Sequence, residues 1–387
     1  MSVTTGQPAT TRHGNSYFTS LPREWYTSPE IFRKEIDKIF HRQWIYVGHV
    51  SQAKNTGDYF VARAATESII VTRAKNGGLR AHFNVCRHRG SQLCDELSSG
   101  NTKRFVCPYH NWTYDLDGKL AGAPATRDGV DFNYSEFGLQ DAYVDTFHGS
   151  IYVWLGREQP ACTLREQLTG GGQFPIDDAR IEIAEPERLK LAHEVRYEIK
   201  ANWKLMIENN IECYHCISGH PSLMVSCDAT NYFYERDEEG GLKIKGDGSY
   251  GLRPDMKTFS MDGELVSKKQ LGALEPGDSI VWVDNLMWNG TCFFTDHSQR
   301  GIVNPLTVDT CELWMQWFVH ENAVEGVDYE VGPLTQVFKE VAAEDHAFVE
   351  RNARGVKSSR YVPGPNNALR ETDMEAALTM YLNMMET

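Results

Sequence analysis

Hydrophobic and polar positions alternate along this chain in three successive regimes. Between about residues 29 and 42, Ile31, Phe32, Ile36, Ile39 and Phe40 recur at three- and four-residue spacing, which predicts an amphipathic helix. From about Trp44 to Gln159 the pattern changes to short β-rich runs, YFVARA, SIIVTRA, LRAHFNV, KRFVCPY, NWTYDL and SIYVWLG. Turn signals at Asn76-Gly77-Gly78 and Asp117-Gly118 separate them, the second an Asp-Gly hairpin signal. A Pro- and Gly-marked stretch near 170–175 closes this all-β region. Beyond it the strand pattern LKLAHEVRYEIKANW leads into a helical pattern from Trp203 to Cys216, with Leu205, Met206, Ile207 and Ile211 as its apolar positions. The runs SIVWVDNLMWNGTCFFTDH, GIVNPLTV and CELWMQWFVH then predict further strands, followed by helices near 333–356 and 369–386. The pattern predicts an α+β chain with an N-terminal segment over 1–43, an all-β domain over 44–165, and a sheet covered by helices over 166–387. Two domains are also what a chain of 387 residues leads one to expect.

Charge narrows the partners. With 39 basic against 53 acidic residues the net charge is −14, which argues against nucleic acid or an anionic membrane as a partner. No apolar run reaches the length of a membrane span, and MSVTTGQPATTRHG lacks the apolar core of a signal peptide. The nine cysteines form no dense disulfide framework; Cys94, Cys162, Cys227, Cys292 and Cys311 read as reduced thiols of a cytoplasmic protein. Cys213 and Cys216 form a C-x-x-C around His215, read as a buried pair in preference to a redox dithiol.

Two clusters of metal-ligating residues carry the chemistry. The first is Cys86-x-His88 followed, after 18 intervening residues, by Cys107-x-x-His110. Two Cys and two His can close a structural zinc tetrahedron. They can also hold a Rieske [2Fe–2S] cluster, with the Cys pair on one iron and the His pair on the other. Zinc-finger spacing keeps the cysteines together and the histidines together. Here each half contributes one of each, which suits a two-iron cluster clamped between two loops. Neutral imidazoles in place of two thiolates raise the cluster potential, so it can accept electrons from a low-potential donor and pass them on.

The second cluster is Glu212-x-x-His215-x4-His220. Three apart on a helix, Glu212 and His215 share a face. The helix is expected to fray at Ser218-Gly219, with His220 turning back just before Pro221. Two His and one carboxylate on one face of a metal, with positions left open, is the arrangement of non-haem Fe(II) oxygenases.

The words CRHRGSQLC and CPYHNWTYDLDGKL resemble the Rieske loops of ring-hydroxylating and related oxygenases. Nearly the whole chain is similar to the oxygenase (alpha) subunit of a Rieske non-haem iron oxygenase, from LPREWYTSPEIFRKEIDKIFHRQWIYVGHV to the last third. The resemblance implies a helix-grip catalytic domain, and it carries the third iron ligand onto Asp345 in EVAAEDHAFVERNARGV, with Glu344 the adjacent alternative and His346 outside the ligand set. It also implies a head-to-tail homotrimer in which a carboxylate three residues before the first iron His links one subunit's cluster to the next subunit's iron. The family usually has Asp there; this chain has Glu212. That glutamate, the word ECYHC, the stretch YGLRPDMKTFSMDGE and the C-terminal SSRYVPGPNNALRETDMEAALTMYLNMM resemble the branch acting on glycine betaine, proline betaine, carnitine and choline. Glu208 stands where the aromatic dioxygenases commonly have Asn.

The expected activity is reductive activation of dioxygen. Electrons from NAD(P)H, through a separate flavin and iron–sulfur reductase, would reach iron held by His215, His220 and Asp345 by way of the Rieske cluster. One oxygen atom would enter a C–H bond of an N-methyl group, and the resulting carbinolamine would collapse to formaldehyde and the demethylated amine. A quaternary ammonium offers no proton, so recognition should use aromatic faces and a carboxylate. Tyr232, Phe233, Tyr234, Trp282, Trp288, Phe293 and Phe294 are candidate aromatics, and Asp284 and Glu208 candidate charge partners. The rival readings are an oxygenase of the same fold acting on an aromatic ring or ether, and a non-catalytic Rieske electron carrier.

Overall fold

The structure is a computed structural model. It describes residues 12–13, 17–124, 132–170, 178–212, 214–227, 234–236, 242–244, 251–283, 289–367 and 371–386. Two compact units result, one formed by Ile39–Gly170 and the other by Met1–Lys38 together with Gly171–Thr387.

The first part of the discontinuous unit carries two short helices, α1 (Arg23–Thr27) and α2 (Pro29–Lys38). Ile31 and Ile36 of α2 are buried, as the apolar spacing predicts, but so is Glu35, fully.

The middle unit is built on a seven-stranded antiparallel sheet. Its strands are β1 (Trp44–His49), β2 (Asp58–Ala64), β3 (Glu67–Arg73), β4 (Leu79–Phe83), β5 (Ser99–Asn101), β9 (Asp141–Phe147) and β10 (Ser150–Trp154). Their spatial order is β1-β10-β9-β4-β3-β2-β5. Three shorter strands, β6 (Phe105–Val106), β7 (Thr113–Tyr114) and β8 (Leu120–Gly122), make a separate small sheet. Cys86, Cys107, Trp112, Tyr114, Leu93 and Phe105 share one buried cluster, so the loop after β4 and the loop between β6 and β7 are packed onto each other.

The second part of the discontinuous unit supplies a five-stranded antiparallel sheet: β11 (Leu189–Ile199), β12 (Ser279–Val283), β13 (Asn289–Phe294), β14 (Ser298–Thr307) and β15 (Thr310–His320), in the order β11-β15-β14-β13-β12. Among the helices that accompany it are α3 (Trp203–Asn210), α4 (Val331–Val356) and α5 (Thr372–Glu386). The α+β class is the observed one, with the α4 helix laid over the sheet. Leu334, Val337, Phe338, Ala342, Val349, Ala353 and Val356 form the buried stripe of α4, and Asp345 lies among them. A carboxylate in such a stripe requires partners for its charge.

The local structure departs from expectation around His215. Asn202 caps α3, its side chain accepting from the backbone N–H of Lys204 at 3.1 Å. The helix then stops at Asn210, with Ile211 as its C-cap, and does not run on to Cys216. The Glu212 carboxylate accepts from the backbone N–H groups of Tyr214 at 2.5 Å and His215 at 3.3 Å. A side chain that captures these donors replaces the helical carbonyls that would otherwise take them. A single helical turn, Cys216–Gly219, follows and ends on His220, whose backbone at φ −124° and ψ 76° is no longer helical.

Candidate metal centres

Cys86 and Cys107 lie at corresponding places in two similar turns. In the first, Gly90 N–H donates to the Cys86 carbonyl at 2.9 Å and Cys86 N–H to the Ser91 carbonyl at 2.8 Å; in the second, Asn111 N–H donates to the Cys107 carbonyl at 3.0 Å and Cys107 N–H to the Trp112 carbonyl at 2.8 Å. Each turn closes on a left-handed residue, Gly90 at φ +73° and Asn111 at φ +56°. Gly has no Cβ to clash there, and Asn tolerates the conformation. The two sulfurs are buried, whereas His88 is exposed and His110 half-buried. The imidazole centroids lie 4.6 Å apart, and His88 stacks on Trp112 at 4.9 Å.

Donors surround the sulfurs. Burial raises the Cys86 thiol, while the Tyr114 hydroxyl, 3.3 Å from its Sγ, and the His88 backbone N–H oppose the shift. For Cys107 burial also acts upward, but the backbone N–H groups of Tyr109 and His110 outweigh it and hold the thiol low. A buried sulfur ringed by N–H donors suits a thiolate bound to a metal. The His110 Nδ1 is buried and has no hydrogen-bond partner among the described residues. A ring nitrogen left so costs free energy unless something fills the place, and a second iron of a [2Fe–2S] cluster would do so.

The second centre lies in the other unit. His215 Nε2 and His220 Nε2 are 3.0 Å apart, and Asp345 Oδ1 is 3.3 Å from the first and 3.1 Å from the second. Metal–ligand bonds of roughly 2.1 Å at right angles put neighbouring donor atoms about 3 Å apart. Each imidazole has its other nitrogen engaged by a carboxylate: Glu212 Oε1 accepts from His215 Nδ1–H at 2.5 Å, and Glu344 Oε2 from His220 Nδ1–H at 2.8 Å. Both Nε2 atoms therefore present lone pairs to the point that Asp345 Oδ1 also faces. Three acceptors this close repel unless a cation lies among them. Asn209 holds Asp345 in place, its Nδ2–H donating to Oδ1 at 2.7 Å.

Proton affinities show the same convergence. Burial lowers that of His215, but its bonds to Asp345 and Glu212 prevail and take it up to about 9. His220 is raised against burial in the same manner by Asp345 and Glu344. Burial pushes Asp345 up, yet the two imidazoles hold it down at about 2. The donor set of two imidazoles and one carboxylate fits a divalent iron with open positions.

Sequence reasoning placed Glu344 as an alternative ligand, but it lies on the far nitrogen of His220, because neighbouring helix residues point about 100° apart. Asn209 went unnoticed; only its place one residue after Glu208 hinted at it. His346 packs its ring on Tyr197 at 4.9 Å and stays out of the donor set. Glu208 accepts from the Tyr26 hydroxyl at 2.8 Å. Cys216 Sγ lies 4.0 Å from His215 Nε2, but it is disulfide-bonded and has no thiolate to offer; Cys213 lies outside the described residues. Among the aromatic candidates, Tyr232, Phe233 and Trp288 fall outside the described residues, as does Asp284. Trp282 and Phe293 alternate onto the sheet face away from α4, where Arg300 lies 4.9 Å over the Trp282 ring. Phe294 is on the near face, 6.2 Å from Phe338 of α4.

A Rieske cluster site and a two-His, one-carboxylate site in one chain define a Rieske non-haem iron oxygenase. Comparison with known families agrees: residues 43–147 match the Rieske [2Fe-2S] domain and residues 186–387 the catalytic domain of the ring-hydroxylating alpha subunit. The chain belongs to this family, binds a [2Fe–2S] cluster and a mononuclear iron, and works as a monooxygenase component fed with electrons from NAD(P)H by a separate reductase. It is 32% identical to the glycine betaine monooxygenase oxygenase subunit of Pseudomonas aeruginosa (strain PAO1), over 95% of this chain and 89% of that protein. It is also 32% identical to the carnitine monooxygenase oxygenase subunit of Acinetobacter baumannii, over 88% and 86%. The fold is similar to that of the quaternary ammonium Rieske monooxygenase CntA in complex with L-carnitine, with a TM-score of 0.69 at 23% identity over 96% of each chain. It is similar too to naphthalene 1,2-dioxygenase from Rhodococcus sp., with a TM-score of 0.67 at 22% identity over 95% and 94%.

Proposed function

We propose that this chain is the terminal oxygenase of a system that oxidatively N-demethylates a small quaternary ammonium compound of the betaine type. The observation that carries it is the convergence of His215, His220 and Asp345, each imidazole locked by its own carboxylate, in a chain that also bears the paired Cys–His turns. Similarity to glycine betaine and carnitine monooxygenase subunits along most of the chain supports the substrate class. Iron in this site supplies dioxygen activation, and the protein supplies orientation. Glu212 and Glu344 fix the imidazole tautomers, and Asn209 fixes Asp345. The hydroxylated methyl group leaves as formaldehyde.

The electron donor in this proposal is a flavin and iron–sulfur reductase, the assembly a homotrimer, and the compartment the cytoplasm. Glu212 bridges neighbouring subunits in that trimer, its carboxylate joining an iron-site imidazole to a cluster imidazole of the partner. No helix among the described residues is long and apolar enough to cross a membrane. The test is a formaldehyde-release screen with a surrogate reductase, over betaines, carnitine, choline and simple aromatics. Formaldehyde matched to NAD(P)H oxidation with at least one betaine is expected. Activity confined to neutral arenes would overturn the substrate class and leave the oxygenase standing.

A further inference from the structure

The sheet face turned toward α4 is identified by three contacts along its length. Tyr197 meets His346, Lys339 Nζ lies 3.2 Å from His193 Nε2, and Phe294 meets Phe338. Pairing across the strands places Gly290 opposite Gly301, and Gly301 opposite Met315, on that face. The next row joins Cys292, Gln299, Trp317 and His193. A Cβ added to Gly290 would meet no atom of the described residues within 4 Å, and one at Gly301 would meet only the Gln299 Nε2 at 3.8 Å. Both glycines stay partly accessible in the middle of a sheet, so among the described residues the face is open above them.

Polar groups stand at one side of this floor. The Trp317 indole is fully buried, and its Nε1–H has no hydrogen-bond partner among the described residues. Gln299, also buried, pairs with it across the strands. Lys339 Nζ sits 5.7 Å from the Trp317 ring centroid. An unpaired buried N–H costs free energy that an acceptor would recover. An indole N–H, a primary amide and an ammonium together suit an anion. Lys339 precedes Asp345 by six residues on one helix, a rise of about 9 Å along the axis. A zwitterion on this floor has its methylated nitrogen toward the iron ligands and its negative end toward Lys339.

We propose that Trp317, Gln299 and Lys339 receive the carboxylate of the substrate, with Gly290 and Gly301 as the floor beneath its methylated end. This rests on the quaternary ammonium reading and makes it narrower: the chain selects N-methylated compounds that carry a carboxylate. Trp317→Phe removes the N–H and keeps the ring, and Lys339→Met removes the charge. Binding of trimethylglycine and of choline, which lacks the carboxylate, is measured by calorimetry on the intact protein with both metals loaded, alongside turnover. The wild type should prefer trimethylglycine, and each variant should lower that preference at least tenfold, mainly through KM. Lys339→Arg should restore part of it. An unchanged far-UV circular dichroism spectrum and unchanged mononuclear iron content would show that the unit carrying the substitutions is folded. An unaltered preference in both variants, or a wild type that binds the two ligands alike, overturns the carboxylate site. Tight trimethylglycine binding that Lys339→Met weakens, without formaldehyde release by the wild type, would instead overturn the demethylase reading and leave the anion site in place.

Discussion

At the scale of single residues, two substitutions separate the two metal centres. His88→Ala removes one imidazole of the exposed pair and should abolish the Rieske visible and EPR signals while leaving the mononuclear iron bound. His215→Ala should keep the cluster and lose about one iron per chain, since one of three convergent donors goes. Iron analysis with EPR on the same samples checks both, and an intact Rieske spectrum in His88→Ala would remove the cluster assignment. Glu212 asks for a finer test, because it holds His215 through Nδ1 without facing the metal point. Glu212→Gln should retain both metals yet lose most turnover, since a neutral amide no longer stabilises the Nδ1–H of a metal-bound imidazole as a carboxylate does; loss of such a partner typically costs 10–100-fold in affinity or activity. Stopped-flow spectra of the pre-reduced variant, mixed with oxygen and substrate, should show the cluster staying reduced. Reoxidation at the wild-type rate would take Glu212 out of the electron path.

At the scale of elements, the turns that carry the cysteines make a prediction of their own. Gly90 adopts φ +73° with nothing beside its Cα among the described residues, so the cost of a side chain there is purely conformational. Gly90→Val should weaken cluster retention and destabilise the turn by roughly 1–2 kcal/mol, while Asn111→Gly should be tolerated. Cluster content after purification, read from the visible spectrum, decides between them. The same scale shows what the sequence discloses and what it withholds. Strand alternation, apolar spacing and short ligand spacings are properties of neighbours in the chain, so the β-rich middle, the α4 helix, the paired Cys–His words and the His215–His220 pair are legible in it, whereas Asp345 comes only from the family resemblance. The end of α3 at Asn210 is not, because it depends on the Glu212 carboxylate taking two backbone N–H groups that a helical pattern assigns to carbonyls. Asn209, and the role of Glu344 on His220, are equally invisible: each acts through a residue more than a hundred positions away. The aromatic candidates divide by a period of two that becomes meaningful only once it is known which sheet face α4 covers.

At the scale of the whole catalytic unit, a buried polar network ties both ends of the chain to α3. Glu35 of α2 pairs with Lys204, and it accepts from Trp203 Nε1–H at 2.8 Å and from the Tyr381 hydroxyl of α5 at 2.5 Å. Lys204 Nζ also lies over the rings of Tyr26, Trp203 and Tyr381, at 5.9, 5.1 and 5.4 Å. Glu35→Ala leaves that ammonium buried without its counter-charge, which should cost about 3–5 kcal/mol. Glu208 belongs to the same region, bonded to Tyr26, and burial pushes its carboxyl up to about 7 from an ordinary 4.5, against the bond from Tyr26 and the charge of Lys204. Its folded value exceeds its unfolded one, so the native state binds the extra proton across that interval. Stability is therefore unaffected by this group below about pH 4.5, falls as the pH rises toward 7, and stays reduced above it. The loss is at most roughly 3.5 kcal/mol at about 1.4 kcal/mol per unit, and less to the extent that water reaches the half-buried carboxyl. At roughly 2–4 °C per kcal/mol, the Tm of the wild type should drop by several degrees between pH 5 and 8. Glu208→Gln, which cannot ionise but can still accept from Tyr26, should flatten that slope and raise the Tm at pH 8. An unchanged slope in Glu208→Gln would show that the carboxyl ionises in the folded chain without cost.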